Sequence, residues 1–223
     1  MAEQPWDAVD EYLCDALLGP DPTLEAVLAT SREAGLPPIA VAPNQGKLLH
    51  LLVRAIGARL VLEIGTLGAY STIWMARALP EGGRLITLEA AESHVSVARA
   101  NLERAGMADR VEIRLGPALE TLGDLIAEGT GPFDLVFIDA DKENTRPYFE
   151  RSLELSHPGT VIVVDNLVRA GKIIDAQSSD PQVRGMREFM DYVSGEKRVE
   201  ITAIQTVGSK GYDGFALAYV LGT

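Results

Sequence analysis

Two hydrophobic periods take turns along this chain, and their alternation lays out its elements. Over the first 35 residues the apolar positions return every three to four residues. Trp6, Val9, Leu13 and Leu17 predict a helix over 5–18, with Pro5 near its start. Asp21-Pro22 opens a second helix over 21–35, and Gly35 closes it. Leu36-Pro37-Pro38-Ile39-Ala40-Val41-Ala42-Pro43 must be extended, because consecutive prolines cannot sit in a helix interior. Its prolines favour a linker, although its place just before the sheet would also let it line a ligand. Asn44 then leads into a helix through Ile56, apolar at Leu48, Leu49, Leu52, Val53 and Ile56.

From residue 58 short apolar runs alternate with helical stretches. Strands are predicted at 59–63, 84–89, 111–115, 134–138 and 160–164, and helices at 71–79, 91–105, 118–127, 145–156 and 181–194. Two final strands, 198–203 and 215–221, follow with no helix between them and predict an antiparallel edge. This rhythm means an α/β fold, a mainly parallel sheet with helices on both faces. The whole of 1–223 reads as one domain, with 1–57 a helical N-terminal extension and 58–223 the α/β core. The segment Asn166 to Asp180 is a loop at a strand end, long enough to be a lid.

Composition changes this picture in a few places. Hydrophobic residues make up 47% of the chain, enough for a substantial core. No apolar run reaches the roughly 18 residues that span a bilayer. Met1-Ala-Glu-Gln-Pro-Trp6 lacks the basic and apolar parts of a signal peptide, so a cytoplasmic protein is expected. The single Cys14 permits no internal disulfide and is expected to be buried structure on a helix. With 32 Asp and Glu against 20 Lys and Arg, the net charge of −12 argues against broad binding to nucleic acid or anionic membrane. His50, His94 and His157 are isolated in sequence and read as packing or surface residues.

The candidate chemistry lies at the strand ends. Glu63-Ile-Gly65-Thr66-Leu-Gly68-Ala69-Tyr70-Ser71 is a strand followed by a glycine-bearing turn and a helix start, which lets backbone approach a ligand. Glu89 ends the next strand, where an acid can accept hydrogen bonds from vicinal ribose hydroxyls. Together they point to an adenosine-containing cofactor. The spacing is not G-x-G-x-x-G, and an acid at 63 would repel a phosphate but suit an amine or sulfonium. That favours S-adenosylmethionine (SAM) over NAD. Gly116-Pro117-Ala118 could admit an adenine ring or be a plain turn. Asp139 and Asp165-Asn166 close strands that would lie about 4.8 Å apart if adjacent. These oxygen donors suit Mg²⁺, Ca²⁺ or Mn²⁺, unless Asp165 merely caps its loop. Lys142 is a candidate base or a solvated lysine, and Asp141 and Glu143 read as solvated turn acids.

The set Val61–Ser71, Leu88-Glu89, Gly116-Pro-Ala118, Phe137–Asn144 and Val163-Val-Asp-Asn166 resembles the cation-dependent class I O-methyltransferases. That family includes catechol and caffeoyl-CoA O-methyltransferases and bacterial relatives. The resemblance runs from about Val41 to the C-terminal strand. It implies a Rossmann-like class I methyltransferase fold, seven strands with the last antiparallel, and a SAM- and divalent-metal-dependent O-methyltransferase. It implies that Glu63, Gly65, Thr66, Ser71 and the backbone near Val41 hold the methionine end of SAM. Glu89 corresponds to the ribose ligand, Ala118 to the adenine side, and Asp139, Asp165 and Asn166 to the metal ligands, with Mg²⁺ leading. Asp139 also touches the cofactor in this correspondence, and Lys142 matches the catalytic lysine.

The implied acceptor is a small catechol-like or phenolic molecule, and the N-terminal helices hint at a homodimer. One alternative is a tRNA 5-hydroxyuridine methyltransferase, for which Arg146, Arg151, Arg169, Lys172, Arg184 and Arg187 would form a phosphate patch. An NAD-dependent oxidoreductase and a non-catalytic cofactor-binding protein are the others. Departures from the family pattern at Ala69, Thr145, Leu167–Gly171 and Met190 fall mostly at the family's substrate mouth and leave the acceptor open.

Overall fold

The computed structural model describes residues 5–222. Residues 1–4, part of the stretch read as lacking a signal sequence and of the N-terminal extension, and Thr223 lie outside them. Three helices come first: α1 (Pro5–Leu17), α2 (Pro22–Glu33) and α3 (Pro43–Ala55). Asp21 fixes the start of α2, its Oδ1 accepting from the Leu24 N–H at 3.0 Å with Pro22 in the first turn. The α/β series follows as β1 (Leu60–Ile64), α4 (Tyr70–Ala76), β2 (Arg84–Glu89), α5 (Glu92–Arg104), β3 (Val111–Leu115) and α6 (Ala118–Glu128). It continues through β4 (Phe133–Ile138), α7 (Thr145–Glu154), β5 (Ser156–Asp165), α8 (Pro181–Val193), β6 (Val199–Gly208) and β7 (Gly211–Val220).

The seven strands form one sheet in the order β3-β2-β1-β4-β5-β7-β6, with β7 antiparallel to both neighbours. The expected antiparallel edge is present: β7 lies between β5 and β6, and β6 is the edge strand. The hairpin is longer than hydrophobic alternation predicts. Its polar tip is strand because β6 and β7 pair residue by residue from Val199↔Val220 to Gly208↔Gly211.

Alternating strand residues feed two cores, as a sheet covered on both faces requires. Leu62, Ile64, Val136, Ile138, Ile162 and Val164 pack under α6, α7 and α8, where Phe149 and Phe189 meet edge to face at 5.2 Å. Val61, Leu135, Phe137, Val161 and Val163 pack under α2 to α5. At the opposite end of the sheet from the site, Asp134 Oδ2 accepts from the Arg59 and Leu60 N–H groups, both at 2.8 Å, and His157 pairs with its other oxygen. That contact fixes β1 against β4.

Successive strands run outward in opposite directions from β1 and β4, so the crevice between their carboxyl ends is the topological switch point where such sheets bind ligands. Ile64 pairs with Ile138, which brings Gly65 and Asp139 out of the sheet side by side. The N-terminal helices are tied to this body through the buried Asp10. Its oxygens accept from Asn44 Nδ2 at 2.6 Å and from the Ser209 N–H at 2.9 Å. The opposite side of α1 is open: Tyr12 is 71% and Leu17 74% exposed. Cys14, expected to be buried, is only partly covered because α1 touches the body along one side. Among the described residues no helix is long and apolar enough to cross a membrane.

Candidate active site

A cavity of about 1040 Å³ opens over the switch point. Its floor begins where β1 ends. Gly65 has φ +102, and a Cβ there would lie 2.8 Å from the Asp139 carbonyl carbon, so only glycine allows the ends of β1 and β4 to approach this closely. Leu67 and Ala69 follow with φ of +49 and +65, left-handed conformations uncommon for residues with side chains. The strain is held in place by two contacts: the Leu67 N–H donates to Glu89 Oε2 at 2.8 Å, and the Ala69 N–H to the Thr66 carbonyl at 2.9 Å.

Glu89 is therefore both wall and brace. Its Oε1 also accepts from the Ala91 N–H at 3.0 Å and faces His94 Nδ1 at 3.3 Å. A carboxylate has about four lone-pair positions, so sites for hydroxyl donors in the cavity remain. His94 lines the cavity too, which its isolated place in the sequence gave no sign of. Gly65, Thr66, Ser71, Glu89, Ala118, Asp139 and Val41 all line the cavity, as their proposed cofactor roles need.

Glu63 does not, and its expected direct contact with a cofactor is corrected. It is fully buried and absent from the cavity wall. Strand alternation turns it toward α4, where its carboxyl accepts from Ser71 Oγ at 2.6 Å, Thr72 Oγ1 at 2.5 Å and Thr87 Oγ1 at 2.7 Å. Burial outweighs those three donors and pushes its pKa up to about 7. Glu63 reaches the cavity through Ser71 and, by way of Thr87, through Thr66. The strip Leu36–Val41 is the reverse case: read from its prolines as a linker, it lines the cavity wall. Its extended backbone carries it between α2 and α3 across the mouth.

The acidic end is built on β4, β5 and a short 3-10 turn over Lys142–Asn144. Ile138 pairs with Val164, so Asp139 and Asp165 leave the sheet as neighbours. Lys142 is buried, and its Nζ donates to Asp139 Oδ1 at 2.8 Å. Asp165 is buried one step deeper, facing a second hollow of about 310 Å³ that also holds Gln45. Burial holds the Asp165 carboxyl well above the ordinary carboxylate range, and the Asp139 charge adds to this. Lys142, the Asn166 N–H and the Gln45 side chain oppose it. Asn166, at φ +59, lines both hollows. The loop-cap role open to Asp165 is present as well, since its Oδ1 accepts from the Asn166 N–H at 2.8 Å.

Asp139, Asp165 and Asn166 form an oxygen-only donor set in which two acids share one lysine, and that chemistry fits a hard divalent cation. Among the described residues no group of three or more His, Cys, Asp or Glu side chains makes a competing metal cluster.

Several surrounding residues behave differently from expectation. Asp141 is not merely solvated: it accepts from Tyr148 OH at 2.6 Å and Asn144 Nδ2 at 2.5 Å. Burial and this carboxylate raise the Tyr148 phenol well above its ordinary range, so a neutral ring lines the cavity. Thr145 lies beneath the site, not at its mouth, donating to the Lys142 carbonyl at 3.0 Å. Met190 packs against the core. The supposed phosphate patch is neutralised at two of its six bases, and a third is held by a backbone carbonyl. Arg146 pairs with Glu150, Arg151 with Glu154, and Arg187 Nη1 donates to the Ile173 carbonyl. Of its six members, Arg169 alone lines the cavity. Sequence reasoning missed Gln45, Tyr148, His94 and Lys210. It also missed Gly185, whose place inside a helical pattern was the available signal.

A family model described as O-methyltransferase matches residues 21–219. The chain is 50% identical over 220 residues to the catechol O-methyltransferase of Niastella koreensis, covering 99% of this chain and 100% of that protein. It superposes at a TM-score of 0.95 on the O-methyltransferase of Bacillus cereus solved in complex with SAH, with 56% identity over 96% of this chain and 98% of that one. A Streptomyces achromogenes O-methyltransferase involved in tomaymycin synthesis, solved in complex with SAM, matches at a TM-score of 0.95 and 48% identity over the full length of both chains.

Proposed function

The chain belongs to the O-methyltransferase family and is a SAM-dependent O-methyltransferase; we propose that it methylates a small catechol-like or phenolic acceptor with the help of a divalent cation, Mg²⁺ first among the candidates. The observation that carries this reading is the pairing of buried Asp165 with Asp139 and Lys142 beside Asn166, at the edge of a cavity whose other wall carries Ser71 and Glu89. Residues 1–223 act as one methyltransferase unit with α1–α3 as its extension. The exposed apolar side of α1 supports a homodimer.

The roles divide along the switch point. Glu89 accepts from the ribose hydroxyls while bracing the Leu67 loop. Gly65, Thr66 and Val41 offer backbone to the methionine end of the cofactor. Ser71 adds a hydroxyl that Glu63 orients from behind. Ala118 leaves room for the adenine. Asp139, Asp165 and Asn166 hold the cation, which when bound supplies the Lewis acidity that lowers the pKa of an acceptor hydroxyl. Lys142 receives the hydroxyl proton at Nζ. There Nζ keeps an N–H for Asp139 Oδ1 and offers its lone pair to that proton. Tyr148 presents a neutral ring, and positioning of the acceptor oxygen against the sulfonium methyl supplies most of the acceleration.

The test is a methyl-transfer screen with labelled SAM against catechols, acyl-CoA phenolics and bulk tRNA, with and without EDTA. Chelator-sensitive labelling of a catechol is expected. Labelling of tRNA alone, or catechol methylation indifferent to EDTA, overturns the reading.

A further inference from the structure

Two bases on the acceptor side of the cavity have no acid to answer them. Arg169 is half-buried, three residues beyond Asn166, with its backbone at φ +55. Such a conformation in a residue with a long side chain calls for an explanation. Asp213 holds it there: its Oδ1 accepts from the N–H groups of Val168 at 2.9 Å, Arg169 at 3.0 Å and Gly214 at 3.0 Å. The chain thus uses a carboxylate to fix the backbone of Arg169, not to neutralise its guanidinium. The guanidinium donates to the neutral Gln182 Oε1, and its Nε is buried without a partner. Arg169 lines the cavity although this Nε is itself shut off from solvent. Lys210, in the β6–β7 turn, lines the same cavity and donates from Nζ to the Pro38 carbonyl at 3.2 Å. Among the described residues neither base makes an ion pair with an acid, in a chain with 32 acids against 20 bases.

We propose that Arg169 and Lys210 recognise a carboxylate on the acceptor, so that the substrate class is a hydroxylated aryl carboxylate and not a neutral or cationic catechol. The inference rests on the proposed acceptor reading and narrows it. A guanidinium fork fits a carboxylate in two-point contact, and Gln182 keeps it oriented. The cofactor's own carboxylate is the other source of this chemistry. The proposed cofactor contacts, however, come mainly from the ends of β1 to β3, and Arg169 leaves from β5 beyond Asn166.

The experiment compares kcat/KM for 3,4-dihydroxybenzoate with that for its methyl ester. The wild type should favour the acid by about tenfold or more, the size of one charged hydrogen-bonded contact. Arg169→Gln should bring the acid-to-ester ratio close to one, and Lys210→Gln should lower it several-fold. A wild-type ratio at or below one, or ratios unchanged in both variants, overturns the proposal. Lys210 is exposed, so its variant decides the matter if Arg169→Gln does not fold. Calorimetry with SAH separates the two carboxylates: binding unchanged in Arg169→Gln is expected, and weakened binding reassigns the contact to the cofactor. If the wild type methylates neither compound, the catechol reading fails by itself. Calorimetric binding of acid against ester to the SAH-loaded enzyme then still decides whether Arg169 holds a carboxylate.

Discussion

Replacing Gly185 with alanine tests whether helix α8 sets the position of Lys142. A Cβ at 185 would lie 2.6 Å from Glu143 Cα and 2.9 Å from the Lys142 carbonyl carbon, with the carbonyl oxygen nearer still. All three atoms are backbone, so no side chain can swing aside. Carbon atoms rest about 3.5–4.0 Å apart, so α8 and the Lys142–Asn144 turn must separate by roughly 1 Å. Thr145 ties that turn to α8 through the Lys142 carbonyl and Met186 Sδ, so the shift passes to Lys142 and not into a loose loop. Alanine gains about 1 kcal/mol in helix propensity, and overpacking costs about 1–3 kcal/mol. The net loss of stability is then at most about 2 kcal/mol, a fall in Tm of roughly 4–8 °C for a chain of this size. The larger effect is on rate, since a displacement of about 1 Å can lower catalysis on the order of 100-fold. Steady-state assays should show kcat reduced about 10- to 100-fold, with the Kd for SAH within about threefold of wild type. In a double-mutant cycle with Lys142→Met, Gly185→Ala should add little further loss. A variant with full kcat and an unchanged or higher Tm would refute the link between α8 and Lys142.

Three further expectations can be checked independently. Asp165→Ala should abolish chelator-sensitive methylation of a catechol while leaving SAH binding largely intact by calorimetry; a fully active variant in EDTA rejects the metal assignment. Glu89→Ala should weaken cofactor binding by about 1.5–3 kcal/mol, the worth of charge-assisted hydrogen bonds, and an unchanged Kd would sink the ribose role. Glu63 ionises near 7 in the folded chain against an ordinary value of 4.5. Between these values the folded state keeps a proton that the unfolded state has lost. Its contribution is therefore most favourable below about pH 4.5, and stability falls by about 3 kcal/mol as pH rises through 7. Urea titrations of ligand-free protein at pH 5 and 8 should show a smaller drop for Glu63→Gln than for the wild type, and equal drops would contradict this.

Local pattern found most of the scaffold because the scaffold is locally marked. Residues 84–89 and 111–115 are strands as predicted, each closed by a break in its apolar run. Helix α8 begins at Pro181, as the predicted helix over 181–194 does, with Asp180 Oδ1 accepting from the Gln182 N–H at 2.9 Å. The β6–β7 tip escaped because residues 202–207 are exposed on an edge strand, and pairing with β7 gives them no hydrophobic alternation to read. Strand-end chemistry was legible for the same reason as the strands. A polar residue closing an apolar run in a parallel sheet must emerge at one edge, which is how Glu89, Asp139 and Asp165 could be named together.

Depth and partnership were not legible. The residue type of Glu63 marks it as an acid beside a glycine turn, but alternation in the folded sheet sends it under α4 to three hydroxyls instead of into the cavity. Leu36–Val41 has the composition of a linker and becomes a wall because α2 and α3 pack against the sheet on either side of it. Arg169 is one of twenty bases in the sequence. It stands out because Asp213, 44 residues away, is occupied with backbone N–H groups and leaves the guanidinium on neutral Gln182 with no acid. The sequence by itself determined the order of elements and the residue types at each strand end, since both follow from local periodicity. The tertiary structure decided which of those groups meet, which are screened and which stay unanswered, because burial and ion pairing depend on neighbours that the linear chain does not place.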